Sequence, residues 1–372
     1  MKLGGVGSDD EIYVTKGRWV GILKPSDGYR PLSKLPMRGD SVRKLKDGVY
    51  HHRYTKLALS RVTGYYTNAH VHPLPNGTLL ATLGRDVYRS NDGANTWDHC
   101  YTLPSPSGRM GLLPTSVCSY GDRIFLAEYT FGDIPARILV SDDNGTTWET
   151  YLETRDHRHF HGVFRDPYED SLWASAGDAN EESAIGRLRN GRFNIVGNGS
   201  QLWRTVEMTF TPSRIIWGMD CSYCDPVRIL ATERDSLSED TTPTETLTTV
   251  GSSVYYFETI EIDKTLWVVA ATQSETGHDS TAPPGVENKS ERKVRVIAAK
   301  DDSNFRNWYE LFTFTRTKTV GDFLPGVPSA NGYLYLDSHP KYGLIVNPFN
   351  MGRHHGSMHL VRPSQFVKIS KY

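Results

Sequence analysis

Two pairs of histidines, each with one residue between its members, are the clearest candidates for chemistry in this chain. His70 and His72 form one pair, and His159 and His161 form the other. Alternate residues of a strand face the same side, so both members of a pair can point at one ligand. An imidazole there can bind a metal ion, transfer a proton near neutral pH or hydrogen-bond a sugar. The structural alternative is that one member of each pair packs in the core.

Carboxylates, an arginine and a tryptophan stand near other apolar runs. Asp178 and Asp220 each follow such a run, and they can form the carboxylate pair that glycosidic chemistry needs. Arg204 can hold a carboxylate and Trp203 a sugar ring. The structural alternative is that these polar groups satisfy turn amides. The predicted catalytic residues are His70, His72, His161, Arg204 and Asp220, and the predicted substrate-binding residues are His159, Asp178, Glu181, Trp203, Tyr65, Tyr66 and His355.

The expected cofactor is either none or a divalent metal ion, which would be histidine-bound or Ca²⁺. The four cysteines include the Cys221-Ser-Tyr-Cys224 run. A redox pair of this type would stand beside a βαβ pattern, and a zinc site would need a second pair or nearby histidine ligands. We therefore expect these cysteines to be buried or structurally paired.

Repeated hairpins must position these side chains. Short runs rich in Val, Ile, Tyr, Phe and Trp are broken every few residues by Gly, Pro, Asn or Asp, and long helical periodicity is absent. Aligned on their turns, six similar hairpins appear, at 69–84, 116–130, 161–176, 206–219, 254–271 and 331–347. Outer hairpins follow several of them, which gives units of roughly 40 to 50 residues, the size of a propeller blade.

The predicted fold is therefore an all-β propeller of four-stranded blades, a single domain over residues 1–372. Six blades are preferred and seven are the alternative, because residues 1–60 either close the ring or add a blade. Polar stretches near 236–249 and 273–292 are expected to be surface insertions. Inner strands of a propeller begin at one face of the central channel, so the histidine pairs and the polar residues should approach the same face.

Charge and hydropathy exclude several classes of function. Lys plus Arg number 42 and Asp plus Glu 43, so the net charge of -1 gives no field for nucleic acid, and no such partner is expected. No apolar run is long enough to span a membrane, and the first residues lack the apolar region of a signal peptide. We expect a cytoplasmic or virion-associated protein, with an extracellular surface location as an alternative, and homo-oligomer or virion assembly as candidate associations.

Two stretches are near copies of each other: Ser90-Asn-Asp-Gly-Ala-Asn-Thr-Trp97 and Ser141-Asp-Asp-Asn-Gly-Thr-Thr-Trp148. Both resemble the Asp box, or BNR repeat, of the sialidase-like β-propeller superfamily. A wider run over roughly residues 67–225, including His159-Phe-His161, Gly177-Asp178 and Gln201-Leu-Trp-Arg204, is similar to bacterial and archaeal sialidase-like proteins. The resemblance implies a propeller and a shared polar site, but no particular activity.

True sialidase activity is not expected. That family uses an arginine triad, one arginine of which stands in an Arg-Ile-Pro tripeptide, together with a Tyr nucleophile and its Glu partner and an Asp acid; Arg-Ile-Pro is absent here. Tyr and Glu neighbours such as Tyr255, Tyr256 and Glu258 lie along one run, where adjacent residues face opposite sides. Propeller polysaccharide lyases, which resemble this chain in channel-face His, Tyr and Arg, offer a better analogy.

Two classes of function remain. The first is a carbohydrate-active enzyme, a polysaccharide lyase or glycoside hydrolase, that acts on or binds an acidic polysaccharide or a cell-surface glycan through the channel face. The second is a noncatalytic propeller that serves as a surface or virion attachment or structural protein. Whether the chain is an enzyme depends on how the histidines, Arg204 and the acids converge.

Overall fold

Seven antiparallel sheets follow one another along the chain. The computed structural model describes residues 1–39, 48–49, 52–64, 69–105, 112–237, 242–277 and 279–369. Each sheet consists of strands consecutive in sequence, paired in the order in which they occur. The first strands of most neighbouring sheets contact one another, so they form an inner ring. This arrangement is a seven-bladed β-propeller.

The blades have the following strands. Blade 1 consists of β1 (Lys2–Val6), β2 (Ile12–Lys16), β3 (Trp19–Lys24) and β4 (Gly28–Lys34). Blade 2 consists of β5 (His70–Pro73), β6 (Leu79–Leu83), β7 (Asp86–Ser90) and β8 (Asp98–Thr102). Blade 3 consists of β9 (Val117–Tyr120), β10 (Arg123–Ala127), β11 (Ala136–Ser141) and β12 (Glu149–Thr154). Blades 4 and 5 consist of β13 (Phe160–Asp166), β14 (Ser171–Ala176), β15 (Ala184–Arg189) and β16 (Arg192–Asn198); and β17 (Met208–Phe210), β18 (Arg214–Gly218), β19 (Val227–Glu233) and β20 (Glu245–Val250). Blades 6 and 7 consist of β21 (Val254–Ile262), β22 (Thr265–Thr272), β23 (Lys293–Lys300) and β24 (Trp308–Thr315); and β25 (Tyr333–His339), β26 (Gly343–Phe349) and β27 (His359–Val361).

The helices whose bounds lie inside the described ranges are few and short. The α-helices are α1 (Arg53–Thr63) and α2 (Pro363–Ile369), and the 3₁₀ turns are Pro114–Ser116, Gln201–Trp203, Arg234–Ser236, Asp301–Ser303, Val320–Asp322 and Gly352–His354. Within the described ranges, no helix has the length and apolar character needed to cross a membrane.

The predicted all-β propeller is confirmed, with seven blades, the alternative count, rather than the preferred six. The six hairpins found in the sequence are the inner hairpins of blades 2 to 7, and residues 2–34 form a complete four-stranded blade of their own. The polar stretch 273–292 connects β22 to β23, and the stretch 236–249 runs into β20, with residues 238–241 outside the described part.

The two ends of the chain meet where blade 1 joins blade 7. The amino group of Met1 donates to the Gly356 carbonyl oxygen at 2.7 Å, and the Leu3 N–H donates to Asn347 Oδ1 at 2.8 Å. The blade 1 strands pair only with one another, so the ring is closed by contacts between blades rather than by a shared sheet.

The hydrophobic core lies between neighbouring blades. Trp173 and Phe164 of blade 4, for example, pack with Trp217 and Phe210 of blade 5, and both tryptophans are almost fully buried. Because each sheet is covered on both faces, its strands are apolar on alternate and often on successive residues. Tight turns end the strands: Asn190 and Gly191 have φ values of 51° and 70°, which suit a two-residue hairpin.

The two Ser-Asp repeats close the outer hairpins of blades 2 and 3. In the second repeat, Asp143 Oδ1 accepts hydrogen bonds from the N–H groups of Thr146 (3.0 Å) and Thr147 (2.8 Å), and Oδ2 accepts one from the Thr147 hydroxyl (2.7 Å). Asp92 makes the same bonds in the first repeat. These hydrogen bonds hold the turn and lower the pKa of both aspartates to about 2. The largest effect comes from Thr147 on Asp143 and from Thr96 on Asp92.

We expect Asp143→Ala to lower the free energy of unfolding by about 1 kcal/mol, because several hydrogen bonds within one turn are lost. Asp142→Ala is the matched control: Asp142 is exposed and pairs only with exposed Arg123, so the change should stay within about 0.5 kcal/mol. Urea unfolding of both variants measures the difference. Equal losses would show that the repeat does not brace the turn.

Candidate functional site

Four of the predicted residues meet where the inner strands of blades 4 and 5 begin. His161 Nε2 lies 3.1 Å from Asp178 Oδ1, and a terminal nitrogen of Arg204 lies 3.4 Å from the same oxygen. Arg204 Nε lies 3.6 Å from Asp220 Oδ2. The side chains of Arg204, Asp178 and Asp220 are 9%, 8% and 7% exposed. We call Arg204 with Asp178, Asp220 and Asp279 the Arg204 cluster.

A β-bulge aims His161 at this cluster. The pairing of β13 with β14 shifts register between Phe160 and Gly162, which leaves His161 as the extra residue. The same shift occurs at Tyr255, between Val254 and Tyr256 in β21. Bulges bend a strand locally and redirect a side chain. The same kind of bulge therefore directs His161 and Tyr255 toward the channel face.

A tight turn holds Asp178. Gly177 has a φ of +78°, and a Cβ atom there would lie 1.9 Å from the Glu182 carbonyl oxygen, so only glycine fits. The Glu182 carboxylate accepts hydrogen bonds from the N–H groups of Asp178 (3.2 Å) and Ala179 (3.1 Å). Gln201 Nε2 donates to the Asp178 carbonyl oxygen at 2.8 Å. The position of Asp178 is therefore fixed by its backbone.

Arg204 holds the remaining carboxylates together. It donates to Asp279 Oδ2 at 2.9 Å and to the Thr281 hydroxyl at 3.2 Å. The Asp220 N–H donates to the Arg204 carbonyl oxygen at 2.9 Å, which ties the two backbones together. Asp220 Oδ1 is buried and has no hydrogen-bond partner among the described residues. Arg204 thus lies among three carboxyl groups, and that of Asp220 has one oxygen without a hydrogen-bond partner among the described residues.

The pKa values of the three carboxyl groups in the cluster shift in different directions. Burial raises the pKa of Asp220, and it outweighs the attraction of Arg204. Burial also opposes ionisation of Asp279, but Arg204 and hydrogen bonds from Thr281 lower its pKa. For Asp178, the contacts with the His159 and His161 imidazoles outweigh burial and hold the pKa well below its usual value. One buried cluster therefore combines a carboxyl group of raised pKa with two carboxyl groups of lowered pKa.

The two histidines of blade 4 touch each other and Asp178. Their Nε2 atoms are 3.0 Å apart, and the Tyr129 ring lies 4.1 Å from the His159 ring, centroid to centroid. Burial lowers the pKa of His159, whereas Asp178 outweighs burial at His161 and raises its pKa. Within the described part of the chain, His159, His161 and Asp178 are the one group of three whose ligand atoms lie close enough to share a metal ion.

A tyrosine and a glutamate from blade 6 adjoin the cluster. The Tyr255 hydroxyl donates to Glu275 Oε1 at 2.9 Å, and Gln273 Nε2 donates to the same oxygen at 2.6 Å. Burial raises the pKa of Glu275 to about 8 and that of Tyr255 well above its usual value, so both are neutral near pH 7. Tyr255 therefore pairs with Glu275, not with its sequence neighbour Glu258.

His70 and His72 lie apart from the Arg204 cluster. Their rings are 4.4 Å apart, and His70 lies 6.0 Å from the Tyr335 ring, over which Lys2 Nζ lies at 5.2 Å. Burial lowers the pKa of His72 to about 3 and that of Lys2 to about 7, and it lowers the pKa of His70 well below its usual value. The two histidine pairs occupy equivalent strand positions but contribute to separate clusters.

The central channel holds a cavity of about 220 Å³, and His70 lines part of it. Three carboxyl groups also line it, from Glu207, Glu258 and Asp337. Burial, together with the neighbouring carboxyl groups, raises the pKa of Glu207 to about 8 and that of Glu258 well above its usual value; burial raises that of Asp337 to about 6. At neutral pH the channel is therefore lined by two acids that hold their protons, Glu207 and Glu258, whereas Asp337 is protonated only at lower pH.

We expect the stabilising effect of Glu207 relative to Glu207→Gln to fall as pH rises. A raised folded-state pKa means that the folded chain binds the proton more tightly, so the stabilisation is complete below the unfolded pKa and is lost as pH approaches about 8. The decline should be at most about 1.4 kcal/mol per pH unit. Urea unfolding of both proteins at several pH values measures it, and a difference that does not change with pH would contradict it.

Three other predicted residues, Glu181, Trp203 and His355, lie outside both clusters. Glu181 is exposed on the turn after Asp178, and the adjacent Glu182 makes the bonds described above. Trp203 stacks on Trp217, with ring centroids 5.2 Å apart. His355 lies beside the junction of the chain ends, where its Nδ1 accepts the Asn350 N–H at 3.0 Å. Tyr65 and Tyr66 fall outside the described residues.

Cys221 and Cys224 form a disulfide, as expected for structurally paired cysteines. The bridge directly follows Asp220, and Cys221 is fully buried. Cys100 and Cys118 carry free thiols. The disulfide braces the loop that carries Asp220.

Sequence reasoning did not select Tyr129, Glu275 or Asp279 as site residues. Glu275 and Asp279 lie in the polar stretch 273–292, which was interpreted as a surface insertion. Tyr129 is the second residue after β10 of blade 3, and Asp178 is likewise the second residue after β14. Applying the strand-end criterion to every blade would have found Tyr129.

Comparison with known proteins gives the fold class and no closer relation. No family model matches the chain, and no curated protein does. Among solved structures, YCF48 from Cyanidioschyzon merolae is 11% identical with a TM-score of 0.51, over 98% of this chain and 97% of that one. Hydrazine synthase of Kuenenia stuttgartiensis is 12% identical with a TM-score of 0.52, over 97% and 96%.

A glycoside hydrolase is also among the similar structures. The GH93 α-L-arabinofuranosidase of Fusarium graminearum, solved with arabinobiose, is 12% identical with a TM-score of 0.42, over 84% of this chain and 95% of that one. At these identities the likeness shows the propeller fold alone. Function has to be argued from the site.

Proposed function

We propose that this chain is a carbohydrate-active enzyme of the glycoside hydrolase type and that the Arg204 cluster is its catalytic site. The observation that carries the proposal is the contrast between Asp220 and Asp279, which both lie on Arg204. Burial raises the pKa of Asp220, whereas Arg204 and hydrogen bonds from Thr281 lower that of Asp279 against the effect of burial. Carboxyl groups whose environments separate their pKa values in this way serve as acid and base in glycoside hydrolysis.

The residues have distinct roles in the proposed reaction. Asp220 donates its proton to the glycosidic oxygen as the bond to the anomeric carbon breaks. Water attacks that carbon, and Asp279, with a side chain 12% exposed, accepts a proton from the water. Arg204 positions both groups. After one turnover the proton on Asp279 returns to Asp220 through solvent, which restores the starting state.

Tyrosines that line the cavity or adjoin the Arg204 cluster support a sugar ligand. Tyr256 lines the cavity with Tyr335, 5.5 Å away, and lies 6.0 Å from Tyr255, centroid to centroid. Tyr129 lies against His159. Tyrosine presents an apolar ring face together with a hydroxyl, which suits the apolar faces and hydroxyl groups of a pyranose.

Hydrolysis fits the cluster better than elimination. A lyase needs a free cation to neutralise the carboxylate of a uronate. Arg204 already faces Asp178, Asp220 and Asp279, and the pairing holds its pKa well above its usual value against the effect of burial. Asp178 and Asp279 already neutralise Arg204, so the carboxylate of a uronate would be repelled.

An assay on a panel of neutral and acidic oligosaccharides and polysaccharides tests the proposal. We expect new reducing ends without the ultraviolet absorbance of an unsaturated product, because hydrolysis forms no double bond. Unsaturated product would show a lyase. Binding of a glycan without any turnover across the panel would contradict the enzymatic role and favour a noncatalytic, glycan-binding propeller.

A further inference from the structure

We propose that His159, His161 and Asp178 bind a divalent first-row transition metal ion, for which Zn²⁺ is the best match. Two imidazole nitrogens and a carboxylate oxygen are a ligand set that such ions prefer. The ligand atoms of the three residues all lie within 4.8 Å of one another. The proposal concerns these residues alone and does not depend on a catalytic role for Asp220.

Backbone carbonyl groups fix the proton position on both imidazoles. His159 Nδ1 lies 3.0 Å from the Thr130 carbonyl oxygen, and His161 Nδ1 lies 2.9 Å from the Thr205 carbonyl oxygen. A carbonyl oxygen can only accept a hydrogen bond, so each Nδ1 carries the hydrogen. Each neutral ring therefore presents the lone pair of Nε2. A backbone carbonyl on the far nitrogen is the usual arrangement for a metal-binding histidine.

The lone pairs then converge on one point. The two Nε2 atoms are 3.0 Å apart; Asp178 Oδ1 lies 3.1 Å from His161 Nε2, and Asp178 Oδ2 lies 3.4 Å from His159 Nε2. His159 and His161 are 0% and 1% exposed, so water does not screen this contact. Three electron-pair donors at these distances repel one another unless a cation lies among them.

The spacing matches that of ligands around one ion. Two ligand atoms each about 2.1 Å from a metal are about 3.0 Å apart at right angles and about 3.4 Å apart at the tetrahedral angle. The Nε2–Nε2 separation of 3.0 Å lies in this range, and so does the distance from each Nε2 to one Asp178 oxygen, 3.1 Å from His161 to Oδ1 and 3.4 Å from His159 to Oδ2. A single proton is the alternative cation, and it would bridge only one pair of these atoms at a time.

The surroundings hold the ligands in place. Arg158 donates to Asp178 Oδ2 at 2.9 Å, and Arg204 lies 3.4 Å from Oδ1, which orients the carboxylate as outer partners of metal ligands do. These guanidinium groups add positive charge, and the carboxyl groups of Asp220 and Asp279 on Arg204 offset it. Strand β13 and its bulge supply a rigid base for His161.

Metal titration of the full-length chain tests the proposal. The protein is stripped with a chelator and titrated with Zn²⁺ in competition with a chromophoric chelator, and with Co²⁺ for its visible absorption. We expect one ion per chain, and at least about a 100-fold loss of affinity in His161→Ala and Asp178→Asn, because each variant removes a ligand. The double variant His70→Ala/His72→Ala, which alters the other His-x-His pair, should still bind one ion.

Histidine NMR gives a readout that does not depend on the folding of the variants. In the wild-type chain, Zn²⁺ should shift the Nε2 resonances of two histidines that keep a hydrogen on Nδ1. Absence of a stoichiometric ion, affinity unchanged in both ligand variants, or a hydrogen on His161 Nε2 in the presence of Zn²⁺ would each overturn the proposal. The titration uses no substrate, and Asp220→Asn should retain the ion. A chain that binds one ion but hydrolyses no glycan would contradict the proposed hydrolase function and support the metal site.

Discussion

Asp220→Asn should reduce kcat/KM for the glycan substrate by about 10²- to 10⁴-fold, the usual contribution of a general acid. Asparagine keeps the shape of the side chain and can hydrogen-bond, but it cannot give a proton to the departing oxygen. Asp220 is buried against Arg204, so the neutral amide should also be tolerated by the fold. Steady-state kinetics, with a melting curve as the check on folding, give the result.

The pH profile sharpens this prediction. Because Asp220 must be protonated to act as the acid and burial raises its pKa, activity should fall as pH rises through that raised value. Asp235→Asn is the matched control, since Asp235 is an exposed carboxylate in blade 5. Asp235→Asn should retain full activity and the same alkaline limb. Wild-type activity in Asp220→Asn would remove this residue from the mechanism.

Arg204→Met should lower the free energy of unfolding by about 3–5 kcal/mol. Methionine fills a similar volume, but it leaves the carboxyl groups of Asp178, Asp220 and Asp279 without the cation that they share. Removing one partner from a buried ionic group costs more than the pair contributes, because the remaining charges stay desolvated. Urea unfolding at neutral pH measures the loss.

Arg158→Met is the control for this variant. Arg158 also binds Asp178, but its side chain is 31% exposed, so solvent can replace it. We expect a loss of about 1 kcal/mol or less. Similar losses for both arginines would mean that Arg204 is not the centre of the cluster.

The propeller could be predicted because its signals are local. Turn residues such as Asn190 and Gly191 mark the hairpins, and two Ser-Asp repeats set the spacing of the outer strands. The first blade was harder to count. Strand β1 contains Gly4 and Gly5, which weaken a strand pattern, and its blade lacks a copy of the repeat. The sequence therefore shows a clear hairpin pattern for six of the seven blades.

The site could be predicted only in part, because its contacts join different blades. His161, Arg204 and Asp220 could be assigned to one face from their positions at the ends of inner strands. Which of them touch depends on the order of blades around the ring: blade 4 meets blade 5, so His161 reaches the cluster, while His70 of blade 2 meets Lys2 and Tyr335 instead.

Burial was the other quantity that the sequence did not supply. Glu275 and Asp279 stand in a polar stretch, where side chains are normally solvated. In the folded chain Tyr255 and Arg204 bind them, and burial raises the pKa of Glu275 to about 8. Protonation states within the cluster therefore follow from tertiary contacts and not from residue type.

The infrared difference spectrum between the wild-type chain and Asp220→Asn at neutral pH tests the central claim most directly, because it reports the protonation of this carboxyl group without a substrate. The account predicts the loss of one protonated-carboxyl band in Asp220→Asn and the loss of an ionised-carboxylate band in Asp279→Asn. Loss of an ionised-carboxylate band in Asp220→Asn would show that Asp220 carries no proton, and it would contradict the assignment of Asp220 as the acid.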